Sequence, residues 1–259
     1  MSLYDHFRKE ERPFIDQVLD WKSTVKEEYR SKLSDFLDPR QQQIVTSVVG
    51  TDKDVKLSFH GGASAVERKR ALLYPEYMDP DYSDFELAAY ELQYPSKFVT
   101  LEHPQVLGTL TSLGVRREKF GDILISGNRI QIVAAGEIAG YLEQQFTSVG
   151  RASVTMLSIS LDDLLEPAEV SKDLSVTVSS MRLDTVLSEA FKISRSKIKP
   201  LIQNEKVKVN WKVIIDPSVT IEEGDVLSLR GSGRCKVESV EGVTKKGKLR
   251  VQLRVTGNN

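Results

Sequence analysis

The residues best suited to chemistry are cations near the end of the chain. Arg182 precedes one helical pattern, and Ser194 precedes a second in which Arg195, Lys197 and Lys199 follow within two turns. A helix N-terminus offers unpaired N–H groups and a positive dipole end to an anion. Cations placed there repel the dipole and one another, so their clustering suggests that a polyanion neutralises them. The chemistry predicted is phosphate binding.

Residues 206–213 add a second basic feature. Valines and Trp211 alternate with polar residues, which predicts a strand with one packed face and one polar face. The residues predicted to share the polar face are Lys206, Lys208, Asn210 and Lys212. Neighbours on one face of a strand lie about 7 Å apart, comparable to the spacing of phosphates along a nucleic-acid strand. Residues 248–254 alternate in the same way and predict a second strand with a basic face.

Each of these features also has a simpler interpretation. Arg182 could pair with Asp184 or Glu189 at the surface. The helix cations could form a solvated basic face, and lysines in a row protect edge strands from aggregation. Phosphate contact is favoured only when the helices and the strand are taken together.

Charge is distributed unevenly along the chain. The whole sequence carries 36 Lys and Arg against 37 Asp and Glu, a net charge of −1. Residues 181–259 hold 16 cations and 9 anions, net +7, whereas residues 84–180 hold 7 and 13, net −6. A basic module joined to an acidic body suggests a polyanionic partner for one end of the molecule.

Several function classes lack their usual signals. The single cysteine, Cys235, excludes an internal disulfide, and His6, His60 and His103 lie too far apart for a metal-binding motif. There is no Gly-rich phosphate loop and no GxSxG element. The polar start of the chain and the lack of a long apolar run predict a cytoplasmic protein without a membrane span. We expect neither a cofactor nor a small-molecule substrate.

The elements that position the basic module follow from hydrophobic spacing. Residues Leu183, Val186, Leu187, Ala190 and Phe191 form one face of a helix. Further upstream, Pro13 opens a helix, Asp38 caps another with Gln41 at the capping-box position, and residues 55–59 alternate as a strand. Residues 67–70 form a short charged run, and residues 74–84 and 160–180 are predicted linkers.

The middle of the chain predicts the order β-α-β-β-α-β. The segments are 85–93, 104–113, 122–126, 129–135, 137–147 and 152–159, with a hairpin turn at Gly127-Asn128. This order is typical of ferredoxin-like and RRM-like domains. Base-stacking domains carry aromatic residues on the central strand, and residues 129–135 contain none. A scaffold or protein-docking role is therefore favoured over base recognition. The predicted fold class is α+β, with domains at 1–80, 84–165 and 180–259.

Spaced motifs in the basic module resemble the S4-like RNA-binding domain. They are Arg182-Leu183-Asp184, Ser194-Arg195, Val207-Lys208-Val209-Asn210 and Gly224-Asp225. The whole chain, including residues 6–11, Phe59-His60-Gly61-Gly62 and Glu67-Arg68, resembles the YlmH family, which is associated with cell-division gene clusters. The resemblance implies a helical N-terminal domain, an RRM-like middle domain, and binding to rRNA and tRNA on the large ribosomal subunit. It further implies ribosome-associated quality control through stabilisation of peptidyl-tRNA.

Two positions depart from the family pattern. Glu205 stands where the family usually has glycine, and we expect Asn204 to supply the left-handed residue instead. Pro200 lies inside the predicted second helix, where a proline costs about 3 kcal/mol, so we expect a kink or an early end.

Three functions remain open at this point. The favoured one is a monomeric, non-catalytic RNA-binding factor that uses Arg182, Asp184, Ser194, Arg195, Lys197, Lys199 and the polar strand face. An RNA-modifying enzyme, such as a pseudouridine synthase relative, would need a catalytic motif that residues 1–180 lack. A membrane-linked division protein would need a basic amphipathic helix, which is also lacking.

Overall fold

A computed structural model describes residues 4, 7, 9–50, 52–166, 171–244 and 247–257. His6, Arg8, Lys245 and Lys246 lie outside the described residues. The chain divides into two compact units, Met1–Ala168 and Glu169–Asn259. In the part of the chain described, no helix is long and apolar enough to span a membrane.

The first unit begins with two helices on a small sheet. The elements are α1 (Arg12–Glu28), β1 (Lys32–Leu37), α2 (Pro39–Val49), β2 (Val55–His60) and β3 (Lys69–Pro75), and the antiparallel sheet has the order β1-β3-β2. The predicted capping box of α2 is present, because Asp38 accepts from the Gln41 N–H and Gln41 accepts from that of Asp38. Ile15, Val18 and Val25 of α1 are buried, whereas Phe14 and Trp21 are only partly buried. The buried stripe of α1 therefore runs through Ile15 rather than through Phe14 and Trp21.

Two strands of this sheet were not predicted. Residues 32–37 form β1, and β3 takes in the second half of the charged run at 67–70 and the start of the predicted linker at 74–84. Arg70 is buried in β3 because its guanidinium donates to backbone carbonyls of Ser34, Phe85 and Glu86. These bonds offset the cost of removing the charge from water.

The middle of the chain has the predicted order of elements. They are β4 (Leu87–Gln93), α3 (His103–Ser112), β5 (Phe120–Ser126), β6 (Arg129–Ala135), α4 (Ala139–Gln145), a short hairpin of β7 (Ser148–Val149) with β8 (Ala152–Ser153), and β9 (Thr155–Ile159). The antiparallel sheet has the order β5-β6-β4-β9. Ile130, Ile132 and Ala134 of β6 face the core beneath the helices.

The opposite face of β6 packs against the N-terminal part of the same unit. Val133 and Ala135 are buried with Phe36 and Leu164. The lack of a side chain at Gly121 leaves room for the Phe36 ring, since a Cβ there would lie 2.8 Å from Cε1 of Phe36. This is the sheet face on which a base-stacking domain of such an order would bind RNA. This part of the sheet face is therefore not open to a stacked base.

The second unit is a six-stranded antiparallel sheet covered on one face by two helices. Its elements are β10 (Ser171–Val178), α5 (Leu183–Phe191), α6 (Arg195–Gln203), β11 (Val207–Val209), β12 (Lys212–Val213), β13 (Val226–Leu229), β14 (Gly233–Val243) and β15 (Leu249–Gly257). The strand order is β10-β15-β14-β13-β11-β12. Buried apolar residues from both helices and from β10, β11, β13, β14 and β15 form one core.

The prediction of a linker over 160–180 was wrong for residues 171–178. These residues pair with β15 over their whole length, from Ser171 opposite Thr256 to Val178 opposite Leu249. Val176 and Val178 alternate into the core, and this alternation is the signal for a strand.

Candidate nucleic-acid interface

A buried carboxylate organises the two arginines of the basic module. Asp184 lies in the first turn of α5 and its side chain is 0% exposed. Its Oδ2 accepts from Nη2 of Arg195 at 2.7 Å, and its Oδ1 accepts from Nε of Arg182 at 3.2 Å. The side chains of Arg182 and Arg195 remain 39% and 44% exposed. One anion thus holds two guanidinium groups side by side, with part of each at the surface.

The protonation of Asp184 follows from its partners. Burial by itself raises the pKa of this carboxyl, but the hydrogen bonds from Arg182 and Arg195 outweigh it and lower the pKa. Asp184 is therefore ionised at neutral pH. The predicted pairing of Arg182 with Asp184 is confirmed. The carboxylate is buried rather than at the surface, and it holds both arginines in place.

The segment before α5 is fixed by a loop that the sequence analysis did not single out. Leu183 and Asp184 donate their backbone N–H groups to the carbonyls of Val219 and Pro217, and Ile221 donates to that of Met181. Arg182 forms an isolated bridge with Thr220. These bonds set the backbone at Arg182, so the direction of its side chain depends on a segment about 35 residues downstream.

The N-terminus of α6 presents three exposed cations. Ser194 occupies the N-cap position with extended backbone angles, but its hydroxyl bonds to that of Ser196 at 3.0 Å and makes no capping hydrogen bond. Arg195, Lys197 and Lys199 are all exposed. Among the described residues, no carboxylate forms an ion pair with Lys197 or Lys199. Of the kink or early end expected at Pro200, the early end does not occur, because α6 runs through this residue to Gln203.

The predicted single strand over 206–213 was also wrong. Asn210 and Trp211 have φ angles of 47° and 62° and form a two-residue turn between β11 and β12. Left-handed angles at both central residues are typical of a tight hairpin. Lys212 pairs with Val209 and Lys208 pairs with Val213, so the two lysines point to opposite faces of the sheet.

This turn divides the predicted row of cations. Lys212 shares its face with Val209, which packs towards the helices and therefore towards the side of Arg182 and Arg195. Lys208 lies on the outer face, in register with Ser228. Lys206 lies outside the strand, where its carbonyl accepts from the N–H of Arg230.

Asn210 has a structural part in the hairpin. Its Nδ2 donates to Asp225 Oδ1 at 2.7 Å, and its Oδ1 accepts from the N–H of Val226 at 2.9 Å. The left-handed residue before β11 is Glu205, with φ 59°, rather than Asn204. Glu205 therefore lies in the left-handed region, which favours glycine.

The predicted basic face of the second strand is partly neutralised. Arg254 of β15 pairs with Asp173 at 3.0 Å and with Glu238 at 3.1 Å, and Lys236 also pairs with Glu238. Arg254 and Lys236 on this outer face thus have anionic partners. In the described part of the chain, no ion pair is formed by Arg250 on the same face or by Lys197 and Lys199 on the helix side. Within the described residues, no group of three or more His, Cys, Asp or Glu side chains could hold a metal ion.

Comparisons with known proteins cover most of the chain. Residues 10–78 match the family described as YlmH, N-terminal, and residues 80–163 match the putative RNA-binding domain in YlmH. Residues 181–227 match the S4 domain. The matched segment begins one residue before Arg182 and ends within β13.

Two named proteins resemble the chain over long stretches. It is 49% identical over 250 residues to "Ribosome-associated protein quality control protein P2" of Bacillus subtilis (strain 168), which covers 96% of this chain and 97% of the relative. Among solved structures, "Cell division protein ylmH from Streptococcus pneumoniae" is 32% identical with a TM-score of 0.55. That match covers 64% of this chain and 100% of the other.

Proposed function

Because this chain belongs to the YlmH family and carries an S4 domain, we propose that its C-terminal unit binds RNA phosphates on the large ribosomal subunit. The observation that carries the proposal is the pair of arginines held by Asp184 next to Lys197 and Lys199. Partly exposed guanidinium groups fixed side by side suit the planar oxygens of phosphates. The same side of the sheet carries Lys212.

The site residues have different roles in this proposal. Arg182 and Arg195 contact phosphates directly, while Lys197, Lys199 and Lys212 add charge on the same side. Ser194 leaves N–H groups of the α6 N-terminus open to an anion. Asp184 positions the two arginines, and Asn210 positions the turn between β11 and β12. Lys206 and Lys208 lie away from the arginines, and we assign them to a neighbouring RNA segment.

The biological setting is proposed from the relatives. The Bacillus subtilis protein carries ribosome-associated quality control in its name. We assign this chain the same task as a cytoplasmic, monomeric, non-catalytic factor that contacts rRNA and tRNA and stabilises peptidyl-tRNA on the large subunit.

The test is co-sedimentation of the full chain with large ribosomal subunits across a series of salt concentrations. Affinity should fall steeply with salt, because each phosphate contact releases counterions. The double variant Arg182→Ala/Arg195→Ala should bind more weakly at low salt. The slope of log affinity against log salt should become less steep by about the contribution of two phosphate contacts.

The matched control is Arg254→Ala with Lys236→Ala, which removes the same charge from the outer face of the same unit. These cations lie on the outer face of the sheet, opposite the helices that carry Arg195, Lys197 and Lys199, so the control should lose much less affinity. Equal losses in the two double variants would show that net charge rather than the arginine pair governs binding. Retained co-sedimentation of the Arg182/Arg195 variant would place the RNA site elsewhere.

A further inference from the structure

An open cleft lies in the first unit, far in sequence from the arginine pair. It has a volume of about 500 Å³ and forms where the end of β2 meets the turn at residues 82–85 and the segment 161–166. Its lining includes His60, Lys69, Tyr82, Asp162 and Glu166.

Two aromatic rings form a stack at this cleft. The rings of His60 and Tyr82 lie 4.6 Å apart between centroids, with an angle of 24° between their planes. Phe85 is buried and meets His60 edge to face at 5.4 Å. Tyr82 nevertheless remains 72% exposed. The stack is thus supported from the protein side and ends in a tyrosine ring that is open to solvent.

The backbone on both sides of the stack is fixed. The turn that carries Tyr82 has a complete capping box, in which Asp81 accepts from the Ser83 N–H and Asp84 accepts from that of Asp81. On the other side, a Cβ at Gly61 would collide with the carbonyl of Arg68, and one at Gly62 would lie 2.8 Å from Leu164. The ring is therefore presented in a defined position, which lowers the ordering cost of a ligand that stacks on it.

The charges around the cleft favour a base over a bare phosphate. Among the described residues that line the cleft, Lys69 is the one Lys or Arg, while Asp162 and Glu166 are exposed carboxylates that can accept N–H groups. Burial and, to a lesser extent, the charge of Lys69 lower the pKa of His60. The imidazole is therefore neutral at pH 7 and stacks as an uncharged ring. An aromatic face beside N–H acceptors and one cation matches a nucleobase with its attached phosphate.

We propose that Tyr82, backed by His60, is a stacking site for an unpaired base of single-stranded RNA. The site is separate from the phosphate-binding arginines of the C-terminal unit and does not depend on them. Leu164 lines the cleft and also packs on the covered face of the β5-β6-β4-β9 sheet, so the site borders that face.

The test measures binding of a fluorescently labelled oligo(A) decamer to the full chain by anisotropy. Tyr82→Ala should weaken binding by roughly 5- to 150-fold, the range that one base–aromatic stack contributes. The matched control, Tyr82→Phe, keeps the ring and should stay within about twofold of the parent. Both variants are measured in the natural chain and in the Arg182→Ala/Arg195→Ala chain, so that RNA held by the C-terminal unit does not hide the effect.

Two further probes separate the alternatives. A fully paired RNA duplex offers no free base, so Tyr82→Ala should leave its affinity unchanged, and AMP alone should compete far more weakly than the decamer. The proposal is overturned if Tyr82→Ala binds the decamer as tightly as Tyr82→Phe does, if it loses duplex binding equally, or if AMP competes as well as the decamer. Thermal unfolding of each variant checks that the exposed substitution leaves the fold intact.

Discussion

Replacing Asp184 by asparagine tests how much the buried carboxylate contributes. The substitution keeps the volume of the side chain and removes its charge. Hydrogen bonds to charged groups contribute about 1.5–3 kcal/mol each. Because Arg182 and Arg195 are 39% and 44% exposed, water replaces part of what is lost. We therefore expect Asp184→Asn to lower the unfolding free energy by about 2 kcal/mol.

The loss can be measured in the C-terminal unit alone. The chain has two tryptophans, Trp21 and Trp211, so a Trp21→Phe background leaves Trp211 as the reporter of this unit during urea unfolding. The matched control is Asp173→Asn, which removes the same charge from a carboxylate that is 74% exposed beside Arg254. An exposed pair of this kind contributes at most about 1 kcal/mol.

The difference in unfolding free energy between the parent and Asp184→Asn should depend on pH in a defined direction. The folded-state pKa of Asp184 is lowered, so its stabilising contribution is complete above the unfolded pKa of about 3.9. The contribution is lost as the pH falls through the folded pKa. The stability gap between the parent and Asp184→Asn should therefore be full at pH 7 and should narrow below about pH 4.

RNA affinity gives a second reading of the same substitution. Freeing two long side chains costs about 0.5–1.5 kcal/mol each on binding, so affinity should fall roughly 5- to 150-fold. Removing a negative charge acts in the opposite direction, and Asp173→Asn controls for it. The reasoning is refuted if Asp184→Asn and Asp173→Asn have the same unfolding free energy and the same affinity for large subunits.

Three further predictions concern the C-terminal unit. Glu205→Gly should raise the unfolding free energy by about 0.5–1 kcal/mol, since glycine adopts φ 59° without the strain of a side chain; a lower urea midpoint would contradict this. Asn210→Ala should lower the unfolding free energy by about 2 kcal/mol, because it removes two hydrogen bonds and strains the turn. In the same urea titration, the unfolding free energy of Asn210→Gly should lie between those of the parent and Asn210→Ala. Burial raises the pKa of Cys235 to about 12, so a thiol reagent at pH 8 should react with it only after unfolding, and rapid labelling of the native chain would show that the core opens.

The sequence predicted those elements whose signals are local. The capping box at Asp38 and the apolar face of α5 depend on residues within a few positions of one another, and both are present. The β-α-β-β-α-β order also followed from local periodicity. In these segments the pattern and the tertiary packing agree.

Three of the errors share a different cause, because contacts between residues distant in sequence decided the outcome. Arg70 looked like part of an exposed charged run, but carbonyl groups from three other residues satisfy its guanidinium in the core. The alternation over 206–213 fitted one strand equally well, yet Asn210 bonds to Asp225 and Val226 and fixes a turn there. Similarly, the burial of Asp184 depends on the loop at 217–221, which no local pattern reveals.

The pairing of β10 with β15 brings the two ends of the C-terminal unit together, with Ser171 opposite Thr256. Because its two ends are neighbours, the unit can be inserted into a loop of another protein without stretching either connection. It also sets the boundary for any excised fragment. A fragment starting at residue 180 would leave β15 with an unpaired edge and favour self-association, whereas one starting at residue 169 keeps that edge covered.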